Sequence, residues 1–172
     1  MRTRLPLVFI LITLVIDAMG IGLVIPVMPR LIMEIEGGTV AKAALWGGVF
    51  STVYAAMQFL CGPLLGTLSD RFGRRPVLLV TLSVMALDYV VVALAGSVWL
   101  LLCARVIGGI AASTRSVATA FIADISTSDQ KAARFGLVGA AFGVGFVMGP
   151  LLGGTLAEFG TRAPFWAAAG LA

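Results

Sequence analysis

The sequence has 172 residues, 60% of them hydrophobic and only 12% charged, with a mean hydropathy of +1.08. Soluble domains average about 45–50% apolar and about 25% charged residues, so a soluble globular protein is excluded. The net charge of +4 comes from basic residues in short gaps between apolar runs rather than on one polar face, which argues against nucleic acid as a partner.

A membrane-crossing helix needs about 20 mostly apolar residues. Runs over 5–27, 45–65, 77–95, 98–123 and 135–157 meet that length, and a sixth begins at Pro164 and is cut at Ala172, too short to cross. The fold class expected is all-α and integral to the membrane, with five complete spans and the start of a sixth. Met1-Arg2-Thr3-Arg4 looks like the basic start of a signal peptide. The long apolar stretch, Asp17 in its middle and the missing cleavage site instead predict a retained helix. Gly20, Gly22, Pro26 and Pro29 weaken or kink its later part.

The gap after the second run carries Asp70, Arg71, Arg74 and Arg75, and with Gly66 and Gly73 it predicts a tight capped turn in which Asp70 faces amide donors or basic partners. In the third run Thr81 and Asp88 are seven apart and share one helix face. In the fourth, Arg105 is flanked at helical neighbour positions by Gly108, Gly109, Ala112 and Ser116, a small-residue face that allows tight packing beside a charge. Arg115, about 80° further round, either lines a cavity or snorkels toward headgroups. Asp124, Asp129, Lys131 and Arg134 follow, and with the earlier loop they form an expected charge latch. The fifth run carries Gly139, Gly143, Gly145, Gly149 and Gly153 as a packing ridge, with Pro150 adding a kink.

Asp17, Asp88, Arg105 and Arg115 lie within spans, where each costs about 2.5–3.5 kcal/mol near a helix centre, so a polar pathway is expected. Asp17 and Asp88 are candidates for proton or cation handling, with Arg105 setting the local field. Alternatively, Arg105 neutralises Asp17 as a purely structural pair. Gln58, Tyr54 and Tyr89 are lesser cavity candidates. With no histidine, a proton carrier must be a carboxylate. Cys61 and Cys103 sit in apolar runs without metal-ligand spacing. No nucleophile with a base, metal set or phosphate loop appears, so neither an enzyme nor a bound cofactor or metal is expected.

Arg2, Arg4, Arg71, Arg74, Arg75, Lys131 and Arg134 fall on one side of these spans, and Arg30, Lys42 and Arg162 on the other. The imbalance predicts a cytoplasmic N-terminus, with Trp46, Trp99 and Trp166 at the outer interface. An internal repeat accompanies this alternation. Gly62-Pro63-Leu64-Leu65-Gly66-Thr67-Leu68-Ser69-Asp70-Arg71-Phe72-Gly73-Arg74-Arg75-Pro76 recurs as Gly149-Pro150-Leu151-Leu152-Gly153-Gly154-Thr155-Leu156-Ala157-Glu158-Phe159-Gly160-Thr161-Arg162-Ala163-Pro164. Copies three spans apart face opposite sides of the membrane, which predicts a three-plus-three inverted repeat, a construction common among secondary transporters.

These residues resemble a known family. Gly66-x-x-x-Asp70-Arg71-x-Gly73-Arg74-Arg75-Pro76 looks like the loop motif of the major facilitator superfamily, and Arg105-x-x-x-Gly109 resembles its fourth-helix motif. Gly145-x-x-x-Gly149-Pro150-x-x-Gly153-Gly154 and Asp17-x-x-Gly20-x-Gly22-x-x-x-Pro26-x-x-Pro29 resemble motifs of its drug/proton antiporters. Met57-Gln58-Phe59-Leu60-Cys61, Asp88-Tyr89 and Ala123-Asp124-Ile125 are similar to the tetracycline/proton antiporters of bacterial inner membranes.

The resemblance implies the N-terminal bundle of a twelve-helix exporter that exchanges a tetracycline, chelated to a divalent cation, for protons. In it Asp17 and Asp88 serve coupling or substrate entry, Arg105 is their basic partner, and Asp70, Arg71 and Arg74 form the cytoplasmic gate. The partners implied are a small-molecule drug, the lipid bilayer and a C-terminal six-helix half, without which this segment should not transport. Arg115 departs from the pattern, standing where similar proteins would carry a small residue. Export of another drug class, a non-transporting membrane subunit and a decayed remnant are the alternatives.

Overall fold

A computed structural model describes residues 4–112 and 114–172; Arg2 and Ser113 lie outside the described residues, and Arg4 is described by its backbone alone. The described residues form α1 (Arg4–Val24), α2 (Met28–Glu36), α3 (Val40–Phe72), α4 (Arg74–Leu94), α5 (Val98–Ala111), α6 (Thr114–Asp124), α7 (Ser128–Leu156), a 3₁₀ turn (Ala157–Phe159) and α8 (Ala163–Leu171). Five segments are long and apolar enough to cross a membrane: Leu7–Val24, Val40–Phe72, Arg74–Leu94, Val98–Asp124 and Ser128–Phe159.

Local chemistry sets most of the ends. Gly37 adopts the left-handed conformation (φ 61°) that closes α2, and its N–H bonds to Met33 O at 2.9 Å. The Thr39 and Ser97 side chains accept from Lys42 N and Leu100 N and so cap α3 and α5. The run over 5–27 is α1, helical through Gly20 and Gly22, and the turn at 25–27 that ends it, with the short α2 following outside the run. One of the expected spans is discontinuous. The run over 98–123 is two helices, α5 and α6, interrupted after Ala111. The second and fifth expected spans are longer than hydropathy outlines, because α3 and α7 continue as polar turns beyond the apolar stretch.

The inverted repeat is visible in backbone and packing alike. Gly73 (φ 95°, ψ 146°) and Gly160 (φ 138°, ψ 147°) occupy matching places in the two copies and share a conformation that non-glycine residues rarely adopt. Pro63 and Pro150, also matched, both sit inside helices. Helix α1 packs along α7 while α3 packs along α5, and α4 packs on α8. Exchanging the first three spans with the last three maps the first two contacts onto each other and the third onto itself.

Helix α1 meets α7 through glycine. A Cβ added to Gly149 would lie 2.6 Å from Gly22 Cα and 2.6 Å from Met19 O, and one on Gly153 would lie 2.7 Å from Leu23 O. Gly145 abuts the backbone of Val15 in the same way. Gly139, Gly143 and Gly154, by contrast, face open space, which corrects the expected single ridge to the Gly145–Gly149–Gly153 stripe. The apolar core divides in two. One cluster, including Ile10, Leu14, Leu78, Val117 and Ile122, lies toward the arginine-rich end, and another, including Leu31, Phe50, Val92, Leu101 and Phe165, lies toward the tryptophan end. The buried polar residues Asp17, Thr81, Asp88, Arg105 and Thr114 lie between these clusters.

Candidate functional site

The polar layer is built from a face of α4 and the joint between α5 and α6. Asp88 and Thr81 share the α4 face as their spacing requires, and both are buried. Arg105 Nη2 donates to Asp88 Oδ2 at 2.9 Å, with the Asp88 side chain fully buried and that of Arg105 10% exposed. Arg105 therefore pairs with Asp88 and not with Asp17, so the structural pairing considered for Asp17 is overturned. The cause is azimuth: Arg105 points from α5 into α4, while Asp17 lies on α1. Gly108 makes the pair possible, since a Cβ there would sit 2.7 Å from Asp88 Oδ2. Thr114 Oγ1 donates to Thr81 Oγ1 at 3.2 Å, which ties α6 to α4 just beyond the helix break.

Among the described residues, three buried polar atoms at the ion pair have no hydrogen-bond partner: Asp88 Oδ1, Arg105 Nε and the Tyr54 hydroxyl. The Arg105 guanidinium carbon lies 5.5 Å from the centre of the Tyr54 ring. Arg105 and Tyr54 line a cavity of about 420 Å³ whose walls also include Ile21, Met28, Phe50 and Tyr89. Unpaired buried polar groups cost free energy unless something hydrogen-bonds to them, so this corner is equipped to receive water or polar substrate atoms. Tyr54 and Tyr89, ranked as lesser candidates from sequence, thus belong to the cavity wall. Asp17 is buried and makes no ion pair among the described residues.

Gln58 has a structural task. Its Nε2 donates to Ala112 O at 2.8 Å, satisfying a carbonyl that the interruption between α5 and α6 leaves without a helical partner. Arg115, left open between two places by sequence, stacks its guanidinium 4.4 Å from the centre of the Phe142 ring on α7. It lines a second cavity with Gln58, Gly62, Ala112, Ser116 and Thr119.

At the arginine-rich end, Arg74 is the hub. It bonds Asp70 Oδ1 at 2.5 Å, Ser69 Oγ at 2.6 Å and, across the loops, Asp124 Oδ2 at 3.0 Å. Of the residues expected to link the two loops, Asp70 meets Arg74 of its own loop, and among the described residues only Arg74–Asp124 crosses between them. Arg134 turns back onto Ile125 O and Ser126 Oγ and does not reach Asp70. Arg71, Arg75, Asp129 and Lys131 are exposed and form no ion pair among the described residues, and Gly66 faces open space. The repeat places a quieter counterpart at the other end, where the Thr161 hydroxyl bonds to Glu34 and Arg162 donates to Ala93 O and Ala95 O. Sequence reasoning assigned no contact to Ser69, Arg162 or Phe142, because their partners Arg74, Ala93 and Ala95, and Arg115 lie on other elements.

Comparison with known proteins was made against this geometry. The Major Facilitator Superfamily profile matches residues 10–172. Tetracycline resistance protein, class C, of Escherichia coli is 47% identical over 98% of the chain and 42% of its own length. The class B protein of Escherichia coli is 42% identical over 92% of the chain and 39% of its own length. The chain thus spans about two-fifths of the length of these relatives. The crystal structure of the human organic anion transporter MFSD10 (TETRAN) superposes with a TM-score of 0.82 at 27% identity, covering 98% of this chain and 45% of that one.

Proposed function

The chain belongs to the major facilitator superfamily, and from that premise we propose that it forms the N-terminal half of a proton-coupled drug antiporter exporting a tetracycline chelated to a divalent cation. The observation that carries this reading is the buried Asp88–Arg105 pair, whose arginine lines a cavity beside the Tyr54 hydroxyl, in a chain 47% identical to a tetracycline resistance protein. Asp17 and Asp88 differ in a useful way. Asp88 is held by a guanidinium, whereas Asp17 has no contacting cation, so Asp17 is free to exchange a proton against the cationic part of a substrate. No cofactor takes part; protons are the coupling ion and the divalent cation travels with the drug.

The five basic side chains Arg71, Arg74, Arg75, Lys131 and Arg134 at one end and the tryptophans at the other support a cytoplasmic N-terminus in a bacterial inner membrane. The Arg74–Asp124 tie closes that end in one state and opens in the other. Glycine contacts between α1 and α7 give the smooth surface on which one repeat slides past the next. Alternating access requires a second bundle moving around the shared site, so residues 1–172 alone do not transport.

The test joins residues 1–172 to the C-terminal remainder of the class C relative and measures tetracycline uptake into everted membrane vesicles. Uptake is expected to require magnesium and an inward proton supply, to vanish in Asp88→Asn, and to be absent for residues 1–172 expressed alone. A well-inserted hybrid that fails to take up tetracycline, beside an active class C control, would overturn the proposal and leave another drug class or a non-transporting subunit.

A further inference from the structure

Arg115 is a guanidinium at membrane depth that the antiporter mechanism above does not use. It occupies the first turn of α6, about 14 Å from Asp124 along the helix at 1.5 Å per residue. The other guanidinium at that depth, Arg105, is taken by Asp88, and Arg74, Arg134 and Arg162 are spent on carboxylates or carbonyls at the bundle ends. Among the described residues Arg115 has neither an ion-pair nor a hydrogen-bond partner for its side chain. Its position makes this costly, because the start of a helix already carries positive potential and a cation there adds to it. A charge within a span costs about 2.5–3.5 kcal/mol and normally meets a counter-charge; the carboxylate on α1 whose charge acts on it, Asp17, makes no ion pair with it among the described residues.

The surroundings indicate what that counter-charge is attached to. Phe142 lies against the guanidinium, which lines the cavity of about 320 Å³ that Gln58, Ser116 and Thr119 share. Phe142 in turn stacks on Phe146, with centroids 6.2 Å apart and planes 17° from parallel, so the aromatic wall continues along α7. The Thr119 hydroxyl is committed to helix carbonyls, whereas that of Ser116 makes no protein hydrogen bond among the described residues. A guanidinium beside a hydroxyl and at the end of an aromatic wall matches a planar ring bearing an anionic oxygen group.

We infer that Arg115 is a specificity-determining residue that receives the negatively charged oxygen group, a carboxylate, sulfonate or enolate, of a planar aromatic substrate lying along Phe142 and Phe146. The inference rests on the proposed exporter only for the direction of traffic; binding by the chain itself requires neither proton coupling nor the second half.

Two fluorescent probes test it, 1-anilinonaphthalene-8-sulfonate and N-phenyl-1-naphthylamine, which share one ring system and differ by the sulfonate. Affinities are measured for the full 172-residue chain in nanodiscs of zwitterionic lipid, with empty nanodiscs subtracted. The wild-type chain is expected to favour the sulfonate by about tenfold, as a charge-assisted hydrogen bond allows. Arg115→Gly removes that preference and leaves the uncharged probe unchanged, while Phe142→Ala weakens both probes alike. Should Arg115→Gly lose both probes through misfolding, Arg115→Gln decides, since it keeps length and donors without the charge and must lose the preference while holding the uncharged probe. Equal affinity for the two probes in the wild type, no binding of either, or a sulfonate preference that survives loss of the charge overturns the assignment. Because no transport is measured, these outcomes are independent of whether the hybrid antiporter works.

Discussion

Gly149→Ala puts the packing of α1 against α7 to a sign test. The added Cβ would lie 2.6 Å from both Gly22 Cα and Met19 O, whereas carbon atoms in good contact stand about 3.5–4.0 Å apart. The shortfall is about 1 Å, and the obstructing atoms are backbone, so no side chain can rotate away and the helices themselves must part. Overpacking of this kind costs about 1–3 kcal/mol. Gly143 lies on the same helix with nothing within 4 Å of its missing Cβ; there alanine escapes the clash and gains about 0.5–1 kcal/mol from reduced backbone freedom. Unfolding of the chain in mixed micelles by increasing SDS, followed by circular dichroism, reads both variants on one scale. Gly149→Ala is expected to lower the midpoint and Gly143→Ala to hold or raise it. Equal shifts for the two would refute the claim that close backbone approach, rather than helix propensity, governs this stripe.

Two further outcomes follow from the polar layer. Asp88→Asn leaves Arg105 buried without its counter-charge, and breaking one side of such a pair costs about 3–5 kcal/mol; replacing both residues, as Asp88→Asn with Arg105→Gln, should recover more than half of the loss in the same SDS titration. Gln58→Leu removes the donor to Ala112 O and leaves a buried carbonyl unsatisfied, at about 1–3 kcal/mol. Hydrogen exchange should then quicken at the α5–α6 joint and not at the far end of α4.

The joint between α5 and α6 marks the limit of sequence reading here. The turn between α1 and α2 was legible because prolines end helices by local geometry. The fourth span carries no proline, and its interruption is held by Gln58, 54 residues away in sequence. The latch divides in the same way. Its residues were identifiable as a capped, charged turn, but that Arg74 reaches Asp124 while Arg134 turns back onto its own loop depends on how two loops meet.

What the sequence by itself determined is whatever repeats at short range: the spans, their alternation across the membrane, the glycine at each copy's sharp turn and the presence of charges inside the bilayer. Helical periodicity also told that Asp88 and Thr81 share a face, because side-chain direction along a helix follows from 3.6 residues per turn. Only the tertiary structure decided toward what each face turns. It joined Arg105 to Asp88 instead of Asp17, set Gly145, Gly149 and Gly153 against α1 while Gly139 and Gly143 face away, and brought Arg115 from α6 onto Phe142 of α7. Residues 143 and 145 differ by roughly 200° around one helix, so a single glycine-rich run serves two faces. Which of them meets a neighbour is fixed by the rotation of whole helices in the bundle, a property that no local pattern encodes.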